Sequence, residues 1–118
     1  MNLFTDKEKK EIEILNFLKE VIDPELEINI IDMGLVYKVN YDEKGEIAID
    51  LTLSTKNCPM GDVIINNSEA CLNSHFPGFQ IIINLVWEPQ WSRDFLTPAG
   101  KKELGIDYVY ANQLEIKD

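Results

Sequence analysis

Cys58 is the residue whose type and position could do the most chemistry in this 118-residue chain. It follows an alternating apolar stretch that ends at Ser54, and it precedes Pro59, which suits the first position of a helix because the missing N–H has no partner there. The free N–H groups and the dipole of a helix start stabilise a thiolate, so we expect the pKa of Cys58 to lie below about 8.5. A reactive or metal-binding sulfur is one interpretation, and a small apolar residue packed under the helix is the other.

The segment between residues 24 and 33 is the second region with chemical potential. Pro24 begins this segment and favours non-helical structure, so we predict a loop, or a short extended piece over residues 28–31. The carboxylates of this acidic loop come from Asp23, Glu25, Glu27 and Asp32. Glu25 and Glu27 could form an acid-base couple, although a solvated loop explains the same pair.

A thiol enzyme is the main alternative that these residues raise, with Cys58 as nucleophile and Asp23 or Asp32 nearby. Carboxylates raise the pKa of a neighbouring thiol, and the one histidine, His75, lies about a whole helix away. The chain has no phosphate-binding glycine loop and no Gly-x-Ser-x-Gly elbow. We therefore predict that the protein is not an enzyme.

Composition limits the class of protein. An apolar fraction of 45% and a charged fraction of 27% are typical of a globular protein, and the length predicts one domain over residues 1–118. The net charge of -10 argues against binding to nucleic acid or to an anionic membrane. Two cysteines, Cys58 and Cys71, are too few for a disulfide scaffold, and the polar start of the chain resembles no targeting peptide, so we expect free thiols and a cytoplasmic location.

Three elements are predicted ahead of Cys58. Thr5 and Glu8 form a capping box at the start of an amphipathic helix, which we expect to end near Asp23. Alternation from Leu35 to Tyr41 predicts a strand, and the turn at residues 42–45 returns it as a second strand from Ile47 to Ser54. The two strands are expected to form an antiparallel hairpin.

The elements after Cys58 complete a small layered domain. A second helix is predicted from about Pro59 to His75, followed by a third strand over residues 79–87 that pairs in parallel with the second. Thr97, Pro98 and Gly105 carry the signals of a short last helix. Residues 106–118, with Tyr108 and Tyr110, could form an edge strand, a docked tail or a dimer contact.

The fold class that follows is α/β, or α+β: a two-layer sandwich with a small mixed sheet of three or four strands. The order is α-β-β-α-β with a short C-terminal helix, and both long helices should lie on one face of the sheet.

With its motifs in this order, the chain resembles the metal-sulfur cluster assembly factor family, the domain shared by SufT-like proteins and the PaaD-like proteins of phenylacetate degradation. The strings that carry the resemblance cover residues 21–25, 29–37, 51–54, 58–61, 87–91 and 104–105. The resemblance implies a fold like the C-terminal scaffold domain of NifU-type proteins and a role in building or delivering iron-sulfur clusters.

The resemblance also implies the site. Cys58 matches the characteristic cysteine of the family, and Thr52 lies in a matched strand. The residues that match the acidic loop of the family are Asp23, Pro24, Glu25, Asp32 and Gly34. Lys56-Asn57 and Gln90 replace prolines and a glycine that are usual in the family, which leaves the choice of partner open.

The cofactor that the resemblance suggests is a transient iron-sulfur cluster. A cluster takes four ligands, mostly thiolates, and Gly61 stands where a related scaffold domain has the second cysteine of its CxxC pair. The metal assignment is therefore Cys58 alone, in a labile cluster or one bridged between two chains of a homodimer, with docking and no metal as the alternative. Zinc is disfavoured because His75 is the only histidine and we recognise no close Cys/His spacing, so a closed four-ligand site would need carboxylates from the acidic loop. His75 is interpreted as a surface residue near a helix end.

The partners implied are the iron-sulfur assembly machinery and client apo-proteins. Trp87, Pro89 and Trp91 could form an aromatic docking patch, although tryptophans at a strand end also serve as caps on the core. A general assembly factor and a PaaD-like, pathway-specific accessory protein or adapter both fit the sequence.

Overall fold

The first helix begins where the capping box predicts. In the computed structural model, which describes residues 3–105, helix α1 runs Asp6–Leu18. Thr5 Oγ1 accepts the N–H of Glu8 at 3.1 Å, and Glu8 Oε1 accepts the N–H of Thr5 at 3.1 Å. The expected end near Asp23 was wrong, because the chain turns after Leu18 and the Val21 carbonyl accepts the N–H of Ile30 at 2.9 Å. The chain has thus left the helix and entered the next hairpin before it reaches Pro24.

A two-stranded hairpin follows this turn, and its strand pairing was not predicted. Strand β1 (Ile22–Asp23) pairs in antiparallel fashion with strand β2 (Ile28–Asn29). The expected extended piece over residues 28–31 thus forms only in its first half. Glu27 closes the hairpin with a φ of 60°, and its N–H donates to the Asp23 carbonyl at 2.7 Å.

The main sheet has the predicted topology. Strands β3 (Val36–Asp42), β4 (Glu46–Leu51) and β5 (Gln80–Leu85) lie in the order β3-β4-β5, with β3 antiparallel and β5 parallel to β4. Strand β4 ends at Leu51, three residues before the expected Ser54, although the N–H of Thr52 still donates to the Leu35 carbonyl at 2.8 Å. The apolar alternation nevertheless continues to Leu53, which is buried.

The second helix starts later than predicted. Helix α2 runs Gly61–His75 with Met60 as N-cap, so the expectation that Pro59 occupies the first helical position was wrong. The first helical hydrogen bond runs from the N–H of Ile64 to the Met60 carbonyl at 3.1 Å. Packing at the helix start is close, because a Cβ on Gly61 would lie 2.6 Å from Cδ1 of Leu53. The first turn of α2 can approach the end of β4 only because residue 61 is glycine.

The two long helices cover one face of the sheet, as predicted. Helix α1 contacts β3, α2 contacts β5, and the helices contact each other. The core between the layers is apolar, and its fully buried members include Ile14, Leu18, Ile47, Ile49, Leu51, Ile64 and Leu72. The opposite face is polar, and there Asn84 Nδ2 donates to Asp50 Oδ1 at 3.2 Å.

The last described helix carries all of its predicted signals. Helix α3 runs Pro98–Leu104, Thr97 Oγ1 caps the Gly100 N–H at 3.1 Å, and Gly105 adopts a φ of 74°. The alternatives for residues 106–118 concern residues outside the described part. No helix within residues 3–105 is long and apolar enough to cross a membrane.

Candidate functional site

Cys58 lies in the tight connection between β4 and α2. Its N–H donates to the Thr55 carbonyl at 3.3 Å, and its carbonyl accepts the N–H of Gly61 at 3.2 Å. The residue therefore stands two positions before the N-cap Met60, outside the helix. Its side chain is half-buried and packs against the edge of the core.

The sulfur of Cys58 faces the β1-β2 hairpin. Its Sγ lies 3.9 Å from Oε1 of Glu25, which belongs to the turn between the two short strands. Asp23 sets the position of this turn, because its Oδ1 accepts the N–H of Glu25 at 2.8 Å while its side chain is only 1% exposed. A buried aspartate thus positions an exposed glutamate over the thiol.

These surroundings raise the pKa of Cys58, so the expected fall below the ordinary value was wrong. Burial is the largest cause, and the charges of Glu25 and Asp23, together with the Glu25 hydrogen bond, act in the same direction. A hydrogen bond from the Met60 backbone opposes them without reversing the shift. This one hydrogen bond from the N-cap of α2 does not offset the two carboxylates and partial burial. The resting sulfur is therefore a protonated thiol at neutral pH.

Asp32 and Gly34 lie in the same acidic loop but attach it to α3 instead of facing the sulfur. Asp32 Oδ2 accepts from Asn29 Nδ2 at 2.8 Å, and Oδ1 accepts from Thr97 Oγ1 at 2.8 Å. Burial raises the pKa of Asp32, but these two hydrogen bonds and the charge of Lys19 outweigh it and leave the pKa lowered. Gly34, at a φ of 75°, passes so close to the Phe95 carbonyl that a side chain would collide with it.

The two other predicted residues of this region differ in exposure. Pro24 is exposed in the hairpin turn between Asp23 and Glu25. Thr52 is fully buried, and its Oγ1 makes no hydrogen bond to any described residue. Burial is the largest cause of the raised pKa of Tyr37, the charge of Glu88 adds to it, and the nearby Thr52 hydroxyl opposes it although the two groups do not meet hydrogen-bond geometry.

The tryptophans at the end of β5 are anchored to the core. Trp91 Nε1 donates to the Met33 carbonyl at 2.6 Å, and both Trp87 and Trp91 are half-buried against core residues. Lys56 Nζ lies 5.8 Å from the ring centroid of Trp87, within cation-π range. The Pro89 carbonyl accepts the Tyr37 hydroxyl at 2.8 Å. This end of the molecule is thus tied to the loop that carries Cys58.

A groove of about 340 Å³ lies next to the β1-β2 hairpin, and Cys58 is not among its lining residues. Glu25 lies in its lining together with Trp91 and Arg93, so it runs from the hairpin beside the thiol to the tryptophan. Sequence reasoning missed Arg93 and the exposed Leu26, which also lines the groove. No local motif marks either residue, because only the packing of α3 against the hairpin brings them together.

Cys71 lies away from this site. It is ten residues into α2, which corresponds to about 15 Å along the helix axis from the first turn. Its Sγ faces the C-terminal end of α1, where it donates to the Phe17 carbonyl at 3.2 Å. The two thiols of the chain therefore cannot bind one metal centre within a single molecule.

Sequence similarity to known proteins identifies the family of this chain. Residues 11–81 match the sequence profile of a family described as iron-sulfur cluster assembly proteins. The chain belongs to this family. The matched stretch contains Asp23, Glu25 and Cys58, whereas Trp87, Pro89 and Trp91 lie beyond it.

Individual relatives agree with the family assignment. The chain is 44% identical over 87 residues to the Fe-S protein maturation auxiliary factor SufT of Staphylococcus aureus, covering 73% of this chain and 98% of that protein. It is 36% identical over 93 residues to the Fe-S protein maturation auxiliary factor YitW of Bacillus subtilis, covering 79% and 91%. A crystal structure of a domain of unknown function from Bacillus anthracis superposes with a TM-score of 0.80 at 36% identity, covering 85% of this chain and 95% of that chain. The SufT-like resemblance and the α+β fold class are therefore both confirmed.

Proposed function

We propose that this protein is an auxiliary factor in the maturation of iron-sulfur proteins, and that Cys58 and Glu25 together contact the iron-sulfur species or the client site that receives it. The observation that carries the proposal is the 3.9 Å approach of Glu25 Oε1 to Cys58 Sγ at the edge of an open groove. A thiol and an exposed carboxylate are both iron ligands. Membership of the iron-sulfur cluster assembly family is the reason for proposing an iron-sulfur species as the bound group.

The number of ligands argues for transient handling. A cluster takes four ligands, mostly thiolates, and Cys58 is the one thiol at this site in the described residues. A cluster held here must take further ligands from a client, from a small thiol or from a second copy of the chain. Each of these arrangements releases its cargo more readily than a closed four-cysteine site, which suits a factor that delivers clusters to other proteins.

The charges around Cys58 fit a thiol that loses its proton only when an iron species binds. At rest, burial and the two carboxylates keep the proton on Cys58. An arriving iron cation offsets the negative charge and displaces that proton, because a coordinating thiol is deprotonated. Deprotonation is thus coupled to loading, and the free thiol is protected from adventitious chemistry.

The proposed role is non-catalytic, with the assembly machinery and client apo-proteins as partners in the reducing cytoplasm, where thiols stay free. The groove between Glu25 and Arg93 offers both signs of charge and the edge of Trp91 for docking a client. An adapter that uses Cys58 to contact a partner, without metal, is the second candidate. It is favoured by the protonated state of the thiol.

The test is anaerobic reconstitution with iron and sulfide on the wild type, Cys58→Ser and Cys71→Ser, read by visible absorption and native mass. We expect a cluster in the wild type and in Cys71→Ser but not in Cys58→Ser. A cluster of equal yield in Cys58→Ser would remove the thiol from the mechanism. The activity of a client iron-sulfur enzyme in cells that carry each variant separates the cluster carrier from the adapter. For the adapter, Cys58→Ser lowers client activity although neither the wild type nor any variant binds a cluster.

A further inference from the structure

Three side chains with metal-ligating atoms meet where the end of α1 faces the last turn of α2. Cys71 and His75 are one helical turn apart on α2 and therefore share a face. Glu20 reaches them from the turn after α1. The sulfur, the imidazole nitrogen and a carboxylate oxygen of the three residues all lie within 4.8 Å of one another.

Two of the three separations between these atoms are close to those of a tetrahedral zinc site, and the third, from Cys71 Sγ to the His75 ring nitrogen, is within 4.8 Å. His75 Nε2 lies 3.0 Å from both Glu20 oxygens, and Cys71 Sγ lies 3.8 Å from Glu20 Oε1. Zinc bonds of about 2.0 to 2.3 Å at tetrahedral angles place two ligand atoms roughly 3.3 to 3.6 Å apart. Both measured separations differ from that range by a few tenths of an ångström, which a rotation of the exposed Glu20 side chain can supply.

Phe17 orients two of the three donors. Its ring stacks on the His75 imidazole with centroids 3.7 Å apart and planes at 11°, and its carbonyl accepts from Cys71 Sγ at 3.2 Å. His75 is 28% exposed and Glu20 58% exposed, so an ion can enter from solvent. The interpretation of His75 as a plain surface residue was incomplete, and so was the argument against zinc, because Cys71 lies four positions before His75 and a tertiary contact places Glu20 beside both.

We propose that Cys71, His75 and Glu20 bind a Zn²⁺ ion, with water as the fourth ligand. Thiolate, imidazole and carboxylate are the donors zinc uses, whereas Mg²⁺ and Ca²⁺ favour oxygen ligands alone. On binding, the thiol proton of Cys71 and any proton on His75 Nε2 are released to solvent, the Cys71 thiolate and the imidazole nitrogen bind the ion, and no redox change occurs. The ion would join the end of α1 to the end of α2, and the inference does not depend on the role of Cys58.

The test is a titration of the full-length, metal-free protein with Co²⁺, which reports a thiolate ligand by charge-transfer absorption and tetrahedral geometry by strong visible bands. We expect both signals in the wild type, their displacement by Zn²⁺, and the loss of the charge-transfer band in Cys71→Ser. His75→Gln and Glu20→Gln should each weaken Co²⁺ binding by about tenfold or more, in the range seen when a metal site loses a supporting group. Cys58→Ser is the matched control and should bind as the wild type does.

The outcomes that overturn the proposal are clear. Absence of thiolate-to-cobalt absorption in the wild type excludes the site, and loss of that absorption in Cys58→Ser moves the ion to the other cysteine. Thermal unfolding keeps the test valid if a variant is destabilised: Zn²⁺ should raise the Tm of the wild type and of Cys58→Ser but leave that of Cys71→Ser unchanged. An equal rise in Cys71→Ser would also overturn the assignment.

Discussion

The N–H of Glu25 donates to the carboxylate of Asp23 at 2.8 Å, and this hydrogen bond links the interior of the hairpin to the thiol of Cys58. Asp23 is buried, whereas Glu25 is exposed and reaches the sulfur. The two carboxylates therefore have different roles. Asp23 fixes the backbone of the hairpin turn, and Glu25 faces the groove.

Replacement of Asp23 should affect both stability and function. Asp23→Ala leaves the N–H of Glu25 without its acceptor, and we expect a loss of about 1 to 3 kcal/mol in the free energy of unfolding. Asp23→Asn keeps an oxygen acceptor and should lose less. Denaturant titration measures both. Equal stability of Asp23→Ala and the wild type would mean that the hydrogen bond does not hold the turn.

Replacement of Glu25 should make Cys58 more reactive. Burial is the largest cause of the raised pKa of Cys58, but Glu25 adds its charge and a hydrogen bond in the same direction. Glu25→Gln removes the charge, so the pKa of Cys58 falls and the thiolate fraction near pH 8 rises. Alkylation by iodoacetamide, measured in a Cys71→Ser background, should therefore be faster.

Glu27→Gln is the control for this measurement. Glu27 is an exposed carboxylate of the same hairpin, yet it is not among the causes of the Cys58 shift. Its replacement should leave the alkylation rate unchanged. A similar acceleration in both variants would point to net charge instead of the Glu25 contact.

Stability of the metal-free protein should fall at alkaline pH because of Cys71. Burial, aided by the charge and hydrogen bond of Glu20, raises the pKa of Cys71 from 9.0 to about 11. In the unfolded chain the Cys71 thiol ionises at lower pH than in the folded protein. The unfolded state is therefore stabilised relative to the folded state as pH rises from 9.0 to about 11. The free energy of unfolding of the wild type should decline more steeply over this window than that of Cys71→Ser. Parallel curves would refute the assignment.

The start of α2 should be intolerant of a side chain at residue 61. A Cβ there would lie 2.6 Å from Leu53 Cδ1, so Gly61→Ala should destabilise the protein by about 1 to 3 kcal/mol. Leu53→Ala removes the obstructing atoms at its own cost. The double variant should therefore be more stable than the sum of the two single effects predicts, and denaturant titration of all four proteins measures the coupling. Strict additivity would count against the clash.

The elements that the sequence predicted well carry local signals. Thr5 and Glu8 define the start of α1 by themselves, and Thr97, Pro98 and Gly105 define both ends of α3. The alternation through β4 gave the face that packs against the helices. In each case residues only a few positions apart determine the structure.

The features that the sequence did not predict depend on contacts between different elements. Helix α1 is followed by a turn whose Val21 carbonyl bonds to Ile30, and the start of α2 packs closely on Leu53. Burial raises the pKa of Cys58 most, and the charge of Glu25, 33 positions away, adds to the rise. Glu20 and His75 are 55 positions apart, so no spacing pattern could have brought them together.

Strand β5 has one sheet neighbour among residues 3–105, which leaves an open backbone edge in that part of the molecule. Its sequence, Gln80–Leu85, carries three consecutive isoleucines with no charge and no proline, the composition of a segment that readily templates intermolecular β-pairing. The net charge of -10 opposes this association, because copies of the chain repel one another. The acidic excess thus keeps copies of the chain apart in solution. We expect this repulsion to weaken where acid neutralises the carboxylates or high salt screens them.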